Sequence, residues 1–181
     1  MNNSNHSNIL IIGGGCAGIS VATRLKSLKS DLSISIIEPS EKSLYQAAWT
    51  LVGAGAYDVN NTIKPMSSVM PNYVNWIKEY AESFSPESNS VKTSGGEYSY
   101  DYLVVCPGLK INFDGVAGLK ETLGKNNVCT NYSSDMAVYT WECLKNLQGG
   151  NLLFTEPPMP IKCAGAPQKI AYLAADHLKK K

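Results

Sequence analysis

Hydrophobic positions near the amino terminus form two strand-like runs with a helix-like pattern between them. The apolar run NILII at 8–12 is typical of a buried strand, and LSISII at 32–37 has the same character. Between these runs the apolar residues recur at helical spacing. The predicted helix face comprises Val21, Ala22, Leu25 and Leu28. The pattern therefore predicts a β-α-β unit.

The middle of the chain changes to short apolar runs that are separated by turn residues. Residues 45–56 are aromatic and glycine-rich, which predicts a loop with a short helix. From residue 74 onward the pattern predicts successive strands with turns at 86–89 and 94–96, which is typical of a β-meander. Residues 100–108 predict a buried strand that ends in a glycine turn.

Two further helices are predicted in the last third of the chain. The first occupies 135–147 and is expected to end at the glycines 149 and 150, after which an apolar strand at 151–155 begins a second β-α unit. The apolar stripe of this helix comprises Ala137, Val138, Trp141 and Leu144. A final helix starts near Pro167. Its apolar face comprises Ile170, Leu173, Ala174 and Leu178. Strands that alternate with helices predict an α/β fold.

Composition narrows the range of functions. Charged residues make up 17% of the 181 residues and the formal net charge is +1, so nothing indicates nucleic-acid binding. Residues 1–8 are polar and lack Lys and Arg, which predicts a disordered start without a targeting segment, and no apolar stretch is long enough to span a bilayer. The five cysteines are widely spaced and only two histidines accompany them, so we expect neither a disulfide scaffold nor a metal site.

The turn after the first strand carries the pattern G-x-G-x-x-G, in which the glycines are Gly13, Gly15 and Gly18. Glu38 follows 20 residues later, at the end of the second strand. Such glycines let the backbone approach a pyrophosphate, and the N–H groups of the following helix meet its negative charge. Glu38 would accept hydrogen bonds from ribose hydroxyls, so the pattern predicts a dinucleotide site. The alternative is a tight structural turn with an accidental acid.

The loop after the strand predicted at 151–155 lacks this glycine pattern and contains a cysteine instead. Its prolines have no backbone N–H to offer a pyrophosphate. Cys163 lies just before a predicted helix and beside Lys162, and both neighbours favour the reactive thiolate form. Cys163 is therefore a candidate reactive thiol. The alternative is a buried structural cysteine.

Several stretches resemble the sulfide:quinone oxidoreductases, flavoproteins of the pyridine nucleotide-disulfide oxidoreductase superfamily. The most specific are YQAAWTLVGAGA at 45–56 and KCAGAPQK at 162–169, and the form found in mitochondria and some bacteria is the most similar. The resemblance implies a Rossmann-like FAD-binding domain at 9–115, with a parallel sheet and a β-meander. It also implies that a second Rossmann-like domain starts within 116–181.

The resemblance implies FAD as the cofactor and no metal. Together with the glycine pattern, it gives as cofactor-binding residues Gly13, Gly15, Cys16, Ala17, Gly18, Glu38, Gln46, Ala81 and Gly108. Residues 45–56 would then lie over the cofactor, and the backbone of Ala81 would face the adenine. The turn at Gly108 would lie next to the flavin, although this chain has Cys106 and Pro107 where the family more usually has Ala or Thr.

In the family, two cysteines flank the flavin: sulfide attacks their sulfur bridge, a persulfide forms, and electrons pass through FAD to quinone. Cys163 matches the first of these, and Cys129 is similar to a third cysteine of related bacterial forms, so both are candidate catalytic residues. The resemblance implies sulfide and quinone as substrates and a peripheral membrane contact. A second copy of the chain, in a homo-oligomer, is a further candidate partner. The expected location is the cytoplasmic face of a membrane, or the mitochondrial inner membrane in a eukaryote.

Members of the family are longer than this chain, which matches their amino-terminal part. Because the second cysteine of the pair is not among the 181 residues, we expect this chain alone not to turn over. One alternative is an NADH:quinone-type flavin oxidoreductase of the same fold, which predicts a glycine pattern after residue 155 where the chain has none. Another is a non-catalytic FAD-binding fragment.

Overall fold

The computed structural model describes residues 5–181. Its contacts divide the chain into two compact units: unit 1 contains the chain up to residue 44 together with 64–110, and unit 2 contains 45–63 together with 111–181. This division differs from the predicted boundary between residues 115 and 116. The reason is that a short helix within 45–63 packs on helices from the second half of the chain.

Eight strands occur within the described residues. They are β1 (His6–Ile12), β2 (Ile34–Ile37), β3 (Lys42–Leu44), β4 (Ile63–Pro65), β5 (Val74–Ile77), β6 (Ala81–Ser85), β7 (Ser90–Thr93) and β8 (Gly96–Val105). Six of them form one sheet in the order β5-β2-β1-β8-β7-β6, while β3 and β4 form a separate two-stranded sheet. The strands β5, β2, β1 and β8 are parallel, whereas β8, β7 and β6 are antiparallel. The α/β prediction is therefore confirmed.

The α-helices of the described residues are α1 (Cys16–Leu28), α2 (Trp49–Gly53), α3 (Met66–Val69), α4 (Leu119–Thr122), α5 (Ser134–Asn146) and α6 (Ala166–Lys180). Helix α1 connects the parallel strands β1 and β2, which confirms the predicted β-α-β unit. Its Ala22 packs with Ile11 and Ile36, and all three are 0% exposed. The prediction for Leu28 was wrong, since it is 65% exposed: the packed face ends at Leu25, one turn earlier.

The predicted meander is formed by β6, β7 and β8, with turns where the sequence placed them. Strand β5 is an exception, because it pairs in parallel with β2 at the opposite edge of the sheet. An alternating pattern predicts a strand but not the strand with which it pairs, so the sequence could not distinguish a β5 within the meander from a β5 paired with β2. The predicted burial of the strand at 100–108 was also wrong in part. Tyr102 is 70% exposed and Val105 is 54% exposed, because nothing among the described residues covers them.

Unit 2 is built around the apolar stripes of its helices. The buried residues of its two hydrophobic clusters are Trp49, Val52, Ala54, Ala137, Leu144, Ile170 and Ala174. Val138 and Trp141 are partly buried against them, so the stripe predicted for α5 is confirmed. Helix α5 ends at Asn146, earlier than the glycine pair that was expected to end it.

Two further sequence predictions were wrong, one for residues 151–155 and one for the amino terminus. Residues 151–155 form no strand, and Leu153 is 88% exposed. A strand needs a hydrogen-bonded partner, and no strand among the described residues pairs with this segment. At the amino terminus, β1 begins at His6 and pairs with β8, so the predicted disorder at 1–8 does not hold for 6–8. Residues 1–4 lie outside the described residues.

Between residues 5 and 181, no helix has both the length and the apolar character that crossing a bilayer requires. In this range, no group of three or more His, Cys, Asp and Glu side chains is placed to hold a metal ion.

Candidate functional site

The glycine turn of unit 1 connects β1 to α1 with two glycines that no other residue could replace without strain. Gly13 has a φ of 98°, its N–H donates to the Ile37 carbonyl at 2.9 Å, and a Cβ added to it would collide with the carbonyl oxygen of Cys106. A Cβ on Gly18 would collide with the carbonyl oxygen of Gly13. The turn therefore needs glycine at both positions to bring the helix close to the strand.

The amino-terminal end of α1 is open to solvent. Cys16 and Ala17 form its first residues and are exposed, and a Cβ on Gly15 would meet no atom within 4 Å. Within the described residues no side chain caps this helix end, and the first turn contains no acid. The first backbone N–H groups of a helix have no partner inside it and carry its positive partial charge. This end of α1 can therefore accept an anion such as a pyrophosphate.

Glu38 lies directly after β2 and is hydrogen-bonded to the glycine turn. One carboxylate oxygen accepts the Gly14 N–H at 2.8 Å, and the other accepts the Ser40 N–H at 2.7 Å. The Glu38 backbone carbonyl accepts the Trp76 indole N–H at 2.7 Å, which fixes the residue at the end of the strand. Each carboxylate oxygen has a second lone pair, so Glu38 can still accept hydrogen bonds from hydroxyl groups of a ligand.

The turn after β8 lies beside the glycine turn. The Cys106 N–H donates to the Ile12 carbonyl at 2.7 Å, and Cys106 is half-buried. Gly108 has a φ of 72° and no atom within 4 Å of the position of a Cβ, so this turn is exposed and open. The structure thus brings Gly13, Gly18, Glu38 and the turn that contains Gly108 to one end of the parallel strands.

Two further predicted cofactor-binding residues belong to other elements of the fold. Ala81 begins β6, pairs with Thr93 of β7, and is half-buried next to an irregularity in the strand register. Gln46 is exposed and begins a single helical turn of unit 2.

Cys163 of unit 2 is exposed and lies three residues before α6. Its backbone has a φ of 62°, and its carbonyl accepts the Ala166 N–H at 2.9 Å. The preceding carbonyl, that of Lys162, accepts the Tyr132 hydroxyl at 2.6 Å. The Lys162 ammonium also lies 5.9 Å from the centroid of the Tyr132 ring. The cysteine is therefore presented to solvent from a backbone that Tyr132 holds in place.

Sequence reasoning did not identify Tyr132 as part of this site. Burial, and the nearby charges of Cys163 and Glu156, raise the pKa of Tyr132, so its hydroxyl stays protonated and continues to donate. The only signal in the sequence was an aromatic residue in an otherwise polar segment.

Cys129 has a different environment from Cys163. Burial, a hydrogen bond with Cys143 and the charge of Cys143 raise the pKa of Cys129 to about 12. Its thiol donates to the Asn127 carbonyl at 3.5 Å. At neutral pH Cys129 is therefore a protonated thiol, which is a poor nucleophile. Cys143 of α5 is half-buried beside Cys129.

A parallel β-α-β unit with this glycine turn defines a Rossmann-like α/β protein. The sequence model of the family described as pyridine nucleotide-disulphide oxidoreductase matches residues 7–136, and the chain belongs to that family.

Individual relatives are more specific than the family. The mitochondrial sulfide:quinone oxidoreductase of Dictyostelium discoideum is 46% identical over 179 residues, a match that covers 97% of this chain and 40% of that protein. The mouse mitochondrial sulfide:quinone oxidoreductase is 41% identical over 177 residues, which cover 97% of this chain and 39% of that protein. The crystal structure of the sulfide:quinone oxidoreductase from Aquifex aeolicus superimposes with a TM-score of 0.73 at 27% identity, covering 97% of this chain and 40% of that one. These matches confirm the resemblance, and the chain spans about two-fifths of the length of these relatives.

Proposed function

We propose that unit 1 binds FAD, and that the whole protein to which this sequence belongs oxidises sulfide and passes the electrons to quinone. The relatives that match nearly the entire chain are named sulfide:quinone oxidoreductases, which supports this activity. The observation that carries the proposal within the structure is the combination of an open helix end with a carboxylate at the glycine turn.

The residues of unit 1 fit the ADP part of FAD. The exposed amides at Cys16 and Ala17 would bind the pyrophosphate, and the small residues there leave room for it. Glu38 would accept the ribose hydroxyls with its remaining lone pairs. The open turn at Gly108 would allow the flavin end to approach the backbone. The assignments of Ala81 to the adenine and of Gln46 to the cofactor stay predictions.

Cys163 is the residue that we assign to sulfur chemistry. Joining the sulfur of hydrogen sulfide to a cysteine thiol as a persulfide releases two electrons and two protons. Bound FAD supplies the two-electron redox chemistry that carries them to quinone. The exposed sulfur of Cys163 can be reached by a small anion, and the ammonium group of the neighbouring Lys162 attracts hydrosulfide. Tyr132 positions this segment through the Lys162 carbonyl.

Cys129 is not included in the proposed reaction. Its catalytic role, implied by the resemblance, stays a prediction, and burial together with Cys143 raises the pKa of its thiol.

Quinones are apolar, so the proposed activity requires access to a membrane surface. We propose that the whole protein contacts the membrane peripherally, at the mitochondrial inner membrane or the inner face of a bacterial membrane. The names of the mitochondrial relatives support the first location. A homo-oligomer stays a prediction.

The proposal is tested by adding sulfide to the whole flavoprotein under anaerobic conditions and recording its visible absorbance. We expect sulfide, but not NADH, to bleach the flavin band. The C163S variant should retain FAD and lose the bleaching by sulfide, whereas C143A, which changes a cysteine outside the proposed reaction, should bleach as the unmodified protein does.

Other results would contradict the proposal. Bleaching by NADH alone would favour the NADH:quinone-type alternative. FAD binding without bleaching by either donor would favour a non-catalytic flavin-binding protein. Bleaching that persists in C163S would remove Cys163 from the reaction.

A further inference from the structure

The segment before α5 runs along one face of that helix. Near its start, the Asn127 N–H donates to the Tyr139 hydroxyl at 3.2 Å. Further on, the Thr140 hydroxyl lies 3.5 Å from the Thr130 carbonyl. Cys129 stands between these two points of attachment. Its side chain therefore lies against the face of α5 that carries Tyr139 and Thr140.

Cys143 belongs to the same face of α5. It follows Tyr139 by four residues and Thr140 by three, and residues at these spacings are neighbours on a helix surface. Cys129 and Cys143 are close enough for each thiol to affect the other, since Cys143 raises the pKa of Cys129. Both cysteines are half-buried and carry free thiols. The fold has thus placed two thiols side by side, one on a loop and one on a helix.

We propose that Cys129 and Cys143 are a redox-active dithiol that closes reversibly to a disulfide, with a low-molecular-weight disulfide such as glutathione disulfide as the oxidant. The sulfur–sulfur bond of the oxidant breaks, one sulfur–sulfur bond forms in the protein, and two molecules of the small thiol leave with the two protons and two electrons of the cysteines. This site is separate from the sulfur chemistry assigned to Cys163, and it does not depend on the proposed function.

The loop that carries Cys129 lies outside the helices and strands. Asn126 and Asn127 have φ values of 51° and 63°, in the left-handed region that asparagine tolerates, and residues 126–130 form neither helix nor strand. A disulfide would therefore join a loop to a helix without breaking the hydrogen bonds of a second regular element. One of the two cysteines attacks a sulfur of the oxidant and releases the first small thiol, and the other then attacks the mixed disulfide and releases the second.

Closure of the disulfide would restrain a segment that leads to Cys163. Tyr132 follows Cys129 by three residues, and its hydroxyl holds the carbonyl of Lys162, the residue before Cys163. A bond from Cys129 to α5 would therefore fix the base of the segment from which Tyr132 reaches that carbonyl.

The sequence permits a direct test by peptide mass. Trypsin cleaves after Lys125 and Lys145, so Cys129 and Cys143 lie in one peptide, 126–145, while Cys163 lies in peptide 163–169. The folded 181-residue chain would be incubated with glutathione disulfide, its free thiols alkylated, and the digest measured with and without reduction. We expect peptide 126–145 to appear unalkylated and lighter by two hydrogen atoms, and to shift to the doubly alkylated mass after reduction.

Variants separate this pair from other cysteines. C129A and C143A should each remove the internal disulfide, whereas C106A should leave it unchanged. A link between peptides 126–145 and 163–169 would overturn the proposal, because it would pair Cys163 with Cys129 or Cys143. Peptide 126–145 that is fully alkylated without reduction would overturn it as well. The measurement on the unmodified chain decides the question even if a variant fails to fold.

Discussion

Replacing Glu38 with alanine should destabilise unit 1 through the buried amide that this carboxylate accepts. Gly14 is buried and its N–H donates to Glu38 at 2.8 Å, so E38A leaves a buried donor without a partner, at a cost of about 1–3 kcal/mol. The second bond, from the Ser40 N–H, is exposed, so water replaces it at little cost. We expect a total loss of about 2 kcal/mol, which corresponds to about 4–8 °C in Tm for a chain of this size.

Thermal unfolding followed by circular dichroism measures this loss, and E41A is the matched control. Glu41 lies three residues further along and pairs with Lys78 at 2.8 Å, but this ion pair is exposed and is expected to contribute little. E38Q, which keeps one carbonyl acceptor, should lie between the unmodified chain and E38A. If E38A and E41A unfold at the same temperature, the argument from the buried amide is wrong. FAD affinity should fall about tenfold or more in E38A and not in E41A, because only Glu38 can accept the ribose hydroxyls.

Three further predictions concern the glycine turn, Cys129 and the exposed segment of unit 2. G18A should lower stability by about 1–3 kcal/mol although alanine favours helices, because the added methyl meets the Gly13 carbonyl oxygen. G15A places its methyl in open space and should cost less, apart from the small loss of a glycine at the helix N-cap. Denaturant unfolding of both variants compares them, and equal stabilities would contradict the steric explanation. Folding raises the pKa of Cys129 from 9.0 to about 12, so its contribution to stability is complete below pH 9 and is lost as the pH rises from 9 towards 12. The free energy of unfolding of C129A should therefore depend less on pH in that range. An unchanged dependence of this free energy on pH would refute the prediction. The chain should associate in size-exclusion chromatography because apolar side chains such as Leu153 are exposed, and L153S should reduce the association; a sharply monodisperse monomer would contradict this prediction.

The sequence predicted best those elements whose pattern is local. The β-α-β unit follows from two apolar runs and one helical stripe, and α1 begins at Cys16, where the glycine pattern places the start of a helix. The stripe of α5 was equally clear, since Ala137 and Leu144 are both buried. In each case the period of the apolar residues determines which face packs, whatever it packs against.

Features that depend on a distant partner could not be predicted in this way. The sequence pattern of β5 resembles that of the meander strands, but β5 pairs in parallel with β2 at the other edge of the sheet. Residues 151–155 have the composition of a strand but form none, because a strand also requires a neighbour. Likewise, the contact between Cys129 and Cys143 arises only when the loop folds back along α5.

The placement of the candidate site was predictable in part. The acid at position 38 was expected near the glycine turn, and its carboxylate does bind the Gly14 N–H. The part played by Tyr132 was not predictable, because its hydroxyl reaches a carbonyl 30 residues away along the chain. Such a contact leaves no periodic signal in the sequence.

The most direct test of the account is the sulfur content of Cys163 after reaction. The whole flavoprotein would be mixed anaerobically with sulfide, and its thiols and persulfides would be trapped with an alkylating reagent. The mass of the tryptic peptide 163–169 would then be measured by mass spectrometry. We expect this peptide to gain one sulfur atom while the flavin band bleaches, and C163S to show no bleaching although FAD remains bound. Bleaching with no added sulfur on peptide 163–169, or undiminished bleaching in C163S, would contradict the role proposed for Cys163.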